Sequence, residues 1–102
     1  MLCQMPPLSL PGDFVEELKN SESGTIDGTQ GPGVATYISS HGGARGDIYI
    51  GFEMGGFKHY QNISAVMRNP SIKMQFVMPA VLCQSEVLTY KPKKGNTLTI
   101  QV

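Results

Sequence analysis

The sequence predicts an all-β protein built from short strands and tight turns. Three observations carry that expectation. Ile48, Ile50, Phe52 and Met54 alternate with Tyr49, Gly51 and Glu53, the period-two pattern of a strand with one buried face. Ile72, Met74, Phe76 and Met78 alternate in the same way with Lys73, Gln75 and Val77. The 12 glycines and 7 prolines of the 102 residues exceed the usual share of about 12% for the two together, so turns are frequent.

In chain order, the first element is a short helix. Asp13-Phe14-Val15-Glu16-Glu17-Leu18-Lys19 opens on an acidic cap with a glutamate three residues later, a variant of the capping box. One or two turns are marginal in isolation, so it reads as a loop helix. Residues 20–46 contain Gly24, Gly28, Gly31, Gly33, Gly42, Gly43 and Gly46 and read as a long excursion on the edge of a sheet. Within it, Val34, Thr36 and Ile38 form one side of a short strand over Val34–Ser39. Gly55-Gly56 supplies a turn after the strand at 48–54, because glycine takes positive φ without steric cost. Pro79 ends the strand at 72–78 or holds it at an edge, since it cannot donate to a ladder. Glu86–Tyr90 and Thr97–Val102 are two further strands, and Lys91–Asn96, with Pro92 and Gly95, is the turn between them.

Charge gives little purchase on function. Charged residues are 16% of the chain and the net charge is zero, against an ordinary charged share of about 25%. The balance hides an asymmetry: residues 1–54 hold two basic and seven acidic residues, residues 55–102 six basic and one acidic. Lys91, Lys93 and Lys94 beside Tyr90 form the one basic cluster, which reads as a solvated turn, and no nucleic-acid partner is expected. No apolar run reaches the roughly 20 residues of a membrane-spanning helix, so this segment is not expected to cross a bilayer. Met1–Pro7 lacks the basic and apolar regions of a signal peptide.

Reactive groups do not converge in the sequence. His41 follows Ser39-Ser40 in a glycine-rich stretch, and His59 is the second of two histidines; a nucleophile and base with no third group to orient them are ordinary loop chemistry. The expectation is no enzyme, no catalytic residue and no cofactor. Cys3 and Cys83 lie far apart and neither belongs to a Cys-x-x-Cys pair, so no metal site is expected. The two cysteines permit one disulfide, with their partners undetermined by spacing. Gly28–Gly33 lacks the Gly-Lys-Ser/Thr ending of a phosphate loop. Arg45-Gly46-Asp47 is an Arg-Gly-Asp triplet, the motif of an adhesion loop, and it runs directly into the strand at Ile48. Asn62-Ile63-Ser64 is a sequon for N-linked glycosylation at Asn62.

Four segments, in order, resemble a known family. Cys3-Gln4-Met5-Pro6-Pro7 is similar to a Cys-x-x-Pro-Pro element, and Ile48–Gly56 to a final strand with a Gly-Phe-x-Met-Asp-Gly pattern. Phe76–Val81 resembles a Tyr-x-x-Asp-Pro-x-apolar opening, and Tyr90–Ile100 the Pro-x-x-Gly-Gly-Thr-x-Leu-Thr-Ile hairpin. Together they resemble the TIG (IPT) domains of plexin-type receptor ectodomains, a domain type shared by the scatter-factor receptor kinases. Gly55 and Met78 stand where aspartate is usual, Asn96 replaces the second hairpin glycine, and residues 13–46 match nothing in the pattern.

The resemblance implies an immunoglobulin-like β-sandwich of TIG/IPT type, incomplete and spanning two tandem units. Residues 1–66 would be the C-terminal part of one unit and residues 67–102 the N-terminal strands of the next, with the usual partner of Cys3 missing. It implies a non-catalytic extracellular stalk segment of a single-pass receptor in semaphorin–plexin signalling. Its partners would be neighbouring domains of the same receptor, with semaphorin bound only through the receptor's head domain. The alternatives are an adhesion module presenting Arg45-Gly46-Asp47 and an intracellular Rel-like TIG dimerisation domain.

Overall fold

The computed structural model describes residues 2–20, 23–29, 34–39 and 46–102, with Thr36 the one described side chain of 34–39. The strands are β1 (Leu2–Gln4), β2 (Gly24–Gly28), β3 (Val34–Ser39), β4 (Tyr49–Met54), β5 (Phe57–Asn62), β6 (Val77–Pro79), β7 (Val87–Pro92) and β8 (Leu98–Gln101). Two helices, α1 (Gly12–Asn20) and α2 (Ser64–Arg68), and a 3-10 turn at Ala80–Leu82 complete the described elements. The fold is mostly β, and its sheets are antiparallel. Six strands form one sheet in the order β5-β4-β3-β2-β7-β8, and β1 pairs with β6 in a separate ribbon.

Period two decides what each face of the large sheet carries. Ile26, Thr36, Ile50, Phe52, Leu88, Tyr90 and Ile100 share one face and are buried. The β1–β6 ribbon, the helices and the segments that connect them supply the rest of the same core. Met5, Phe76 and Met78 come from the ribbon and its extension, Phe14, Val15 and Leu18 from α1, and Val66 and Met67 from α2. The Phe14 and Tyr90 rings meet edge to face, 5.1 Å between centroids, a favoured aromatic geometry. The opposite face of the sheet carries Thr25, Asp27, Thr89, Lys91, Thr99, Tyr49 and Tyr60, none of them buried.

The helix at 12–20 is more than a loop helix. Phe14, Val15 and Leu18 lie at i, i+1 and i+4 and are each about 1% exposed, so core packing supplies what nine residues cannot supply alone. Asp13 accepts a hydrogen bond from the Phe14 N–H at 3.0 Å within the first turn.

The expected strand at 72–78 is shorter and shifted. Ile72 is 40% exposed, because its N–H bonds the Asn69 carbonyl at 3.1 Å in the turn around Pro70. Met74 makes one isolated bridge to Leu8, and the ladder becomes regular only at Val77. Between them the Met5 N–H donates to the Phe76 carbonyl at 2.8 Å, and Pro6 and Pro7, with no N–H to give, interrupt the pairing.

Besides β1, two strands of the large sheet fall where the sequence predicts none. β2 lies inside the glycine-rich excursion, yet it is central, paired to both β3 and β7. Its glycines serve close approach: a Cβ on Gly24 would sit 2.6 Å from Tyr90 Cε1, and one on Gly28 would overlap Ser85 Oγ. β5 follows the Gly55-Gly56 turn, whose φ angles of 59° and 82° fit a tight two-residue hairpin.

The sequence boundary between residues 66 and 67 lies inside α2, and pairing crosses it: β1 pairs with β6 and β2 with β7. The Gln61 side chain joins the ribbon to β5. The Val77 N–H donates to Gln61 Oε1 at 3.0 Å, and Gln61 Nε2 donates to the Gln75 carbonyl at 3.0 Å. Gln75 Nε2 in turn donates to the Met5 carbonyl.

Candidate functional site

The Asn62 sequon sits at the corner where β5 gives way to α2. Ile63 is completely buried and its N–H bonds the Ile48 carbonyl at 2.8 Å, fixing the corner to the start of β4. Ser64 is 8% exposed, and its Oγ accepts a hydrogen bond from the Ile48 N–H at 2.8 Å. With its two successors held inward, Asn62 projects from the opposite face and is exposed. Its Oδ1 accepts the Ser64 N–H at 2.9 Å, an Asx turn that leaves the amide nitrogen Nδ2 outside the turn bond. Nδ2 is the atom an N-linked glycan takes.

The surroundings of Asn62 are aromatic. Tyr60 lies two residues earlier on the same face and is 49% exposed. Tyr49 is the direct cross-strand partner of Asn62, and Gly51 is the partner of Tyr60, so no β4 side chain stands opposite the Tyr60 ring. The sequon motif alone draws attention to Asn62. Tyr60 carries a signal in the sequence, an aromatic residue at strand spacing before the asparagine, whereas Tyr49 is brought there only by the hairpin register.

Cys3 and Cys83 form a disulfide, with Cα atoms 6.4 Å apart across a sequence separation of 80. The expectation that the partner of Cys3 is missing is therefore corrected. β1 runs antiparallel to β6, and the 3-10 turn after β6 carries the chain round to Cys83 beside it. Both residues are half-buried.

The remaining candidates are dispersed. Of the Arg-Gly-Asp triplet, Arg45 lies outside the described residues, Gly46 is exposed at φ 69°, and Asp47 is half-buried just before Ile48. His41 and Ser40 also lie outside them, as do Gln30–Gly33. His59 is half-buried in β5 opposite Phe52. Lys91 pairs with Asp27 at 3.2 Å, and the Lys93 N–H bonds the Ser23 carbonyl at 3.2 Å, so the basic cluster is the turn of the β7–β8 hairpin. Among the described residues no group of three or more His, Cys, Asp or Glu could hold a metal ion, and no helix is long and apolar enough to cross a membrane. Comparison with family models, with curated proteins and with solved structures finds no match.

Proposed function

We propose that this chain is a non-catalytic extracellular module, a stalk segment in the ectodomain of a plexin-like receptor. The single observation that carries the extracellular reading is the Cys3–Cys83 disulfide, since such links persist in oxidising compartments and are rare in the cytosol. The exposed Asn62 of the sequon agrees with it. The same disulfide weighs against the intracellular Rel-like alternative.

In this reading the fold type is the immunoglobulin-like one implied by the TIG/IPT resemblance, with the six-stranded sheet as one layer and ribbon plus helices as the other. Residues 1–66 and 67–102 act as one packed body, and its task is mechanical. It would space and orient a ligand-binding head, contacting neighbouring domains of the same receptor, while semaphorin engages the head. A lightly charged surface and a core that draws on every layer suit a spacer.

The test is expression of the 102-residue chain behind a secretion signal in animal cells. The expected product in the medium has no alkylatable thiol until it is reduced and shows no nanomolar affinity for semaphorin. A product with two free thiols would overturn the extracellular reading, and tight semaphorin binding would overturn the spacer role.

A further inference from the structure

The two ends of the sequon have opposite fates in the fold. Asn62 is exposed, and only its Oδ1 is used in the Asx turn. Ser64 is 8% exposed, and the Ile48 N–H donates to its Oγ at 2.8 Å. Ile63, between them, is completely buried. Its N–H donates to the Ile48 carbonyl at 2.8 Å, and its carbonyl accepts the Met67 N–H at 3.0 Å. The tripeptide is thus pinned from both sides.

A sequon is defined by an asparagine amide and a hydroxyl two residues later, so the enzyme that reads it must reach both. In the closed corner the hydroxyl is inside. Freeing it breaks the bond from the Ile48 N–H and draws Ile63 out of the core. We infer that Asn62 accepts an N-linked oligosaccharide only while the β5–α2 corner is open, folding then withdrawing the sequon with its asparagine still outward. This rests on the extracellular reading above. The donor is a lipid-pyrophosphate oligosaccharide. The bond from Asn62 Nδ2 to sugar C1 forms, the C1–O bond to pyrophosphate breaks, one Nδ2 proton is lost, and the lipid pyrophosphate leaves.

Chain order gives this gate its timing. Ile63 belongs to one core with Leu82, Leu88 and Ile100, all of which follow it in the sequence. The corner therefore lacks much of its packing until the last third of the chain has been made. Until then the sequon is a short flexible segment with its hydroxyl accessible. Occupancy of Asn62 is set by a race between sugar transfer and closure of the core.

The experiment supplies a purified oligosaccharyltransferase and its lipid-pyrophosphate donor to two unglycosylated full-length chains. One is the oxidised, folded wild type. The other carries Phe52→Ala, Leu88→Ala, Cys3→Ser and Cys83→Ser, removing two buried side chains and the disulfide, and is unfolded by circular dichroism. Both end in the same added flexible tail with a second sequon, whose modification rate is the internal standard. Peptide mass spectrometry then reads sugar on Asn62 relative to the tail. The unfolded chain is expected to be modified at Asn62 at least about 10-fold faster than the folded one, since exposing one buried aliphatic side chain already shifts an equilibrium by about that factor. Equal relative rates in the two chains would overturn the gate. An unfolded chain modified on its tail and not on Asn62 would overturn the acceptor site. The extracellular reading is judged separately, by the thiol content of the secreted chain.

Discussion

The two faces of the six-stranded sheet are made by the same strands and do opposite work. The inner face stacks Ile26, Ile50, Phe52, Leu88, Tyr90 and Ile100 beneath the ribbon and helices, each at most 2% exposed. The outer face presents threonines, the Asp27–Lys91 pair, two tyrosines and Asn62. Burial of apolar area drives folding, so stability should concentrate on one face and chemistry available to other molecules on the other. That separation can be broken by substitution, face by face.

The largest effect is expected at Phe52, which is 1% exposed in β4. Phe52→Ala should cost about 3–5 kcal/mol, measured as a fall in the urea midpoint, enough to unfold a domain of ordinary stability. A loss below about 1 kcal/mol would mean that the inner face is not a packed core. Next comes the staple behind it. Replacing both Cys3 and Cys83 by serine should cost about 2–5 kcal/mol, because the link closes a loop of some 80 residues in the unfolded chain. Reduction of the wild type should lower stability by a similar amount.

Gly28→Ala probes the tightest approach on the inner side, where a Cβ would overlap Ser85 Oγ. Overpacking of this kind should cost about 1–3 kcal/mol in thermal or urea unfolding. Combining it with Ser85→Gly, which removes the opposing side chain, should recover part of the loss. The smallest effect belongs to the outer face. Lys91→Ala removes an ion pair whose lysine side chain is 58% exposed, and a change of no more than about 1 kcal/mol is expected. A larger loss there would show that the outer face is also structural.

How much of this was legible in the sequence follows from the same contrast. β4 announces itself because Ile48, Ile50, Phe52 and Met54 alternate strictly. β2 hides because Gly24 and Gly28 look like turn residues, and only Tyr90 and Ser85, brought alongside by β7 and the loop before it, show that their missing side chains make room. β5 hides for another reason. An edge strand gains little from apolar residues, so Lys58, His59, Gln61 and Asn62 carry no hydrophobic period to read. At the candidate site the sequon was legible at once, as a local motif must be. The pairing of Cys3 with Cys83 was not, because 80 residues of topology determine it.

Gln61 ties together two parts of the molecule that no strand ladder connects among the described residues. Its carboxamide gives one acceptor to Val77 and one donor to Gln75, reproducing with a side chain what a peptide unit of a neighbouring strand would offer. Fraying of the sheet edge would therefore release these two bonds to the ribbon as well. The Val77 amide hydrogen should exchange with solvent at the pace of β5, although it belongs to a different sheet.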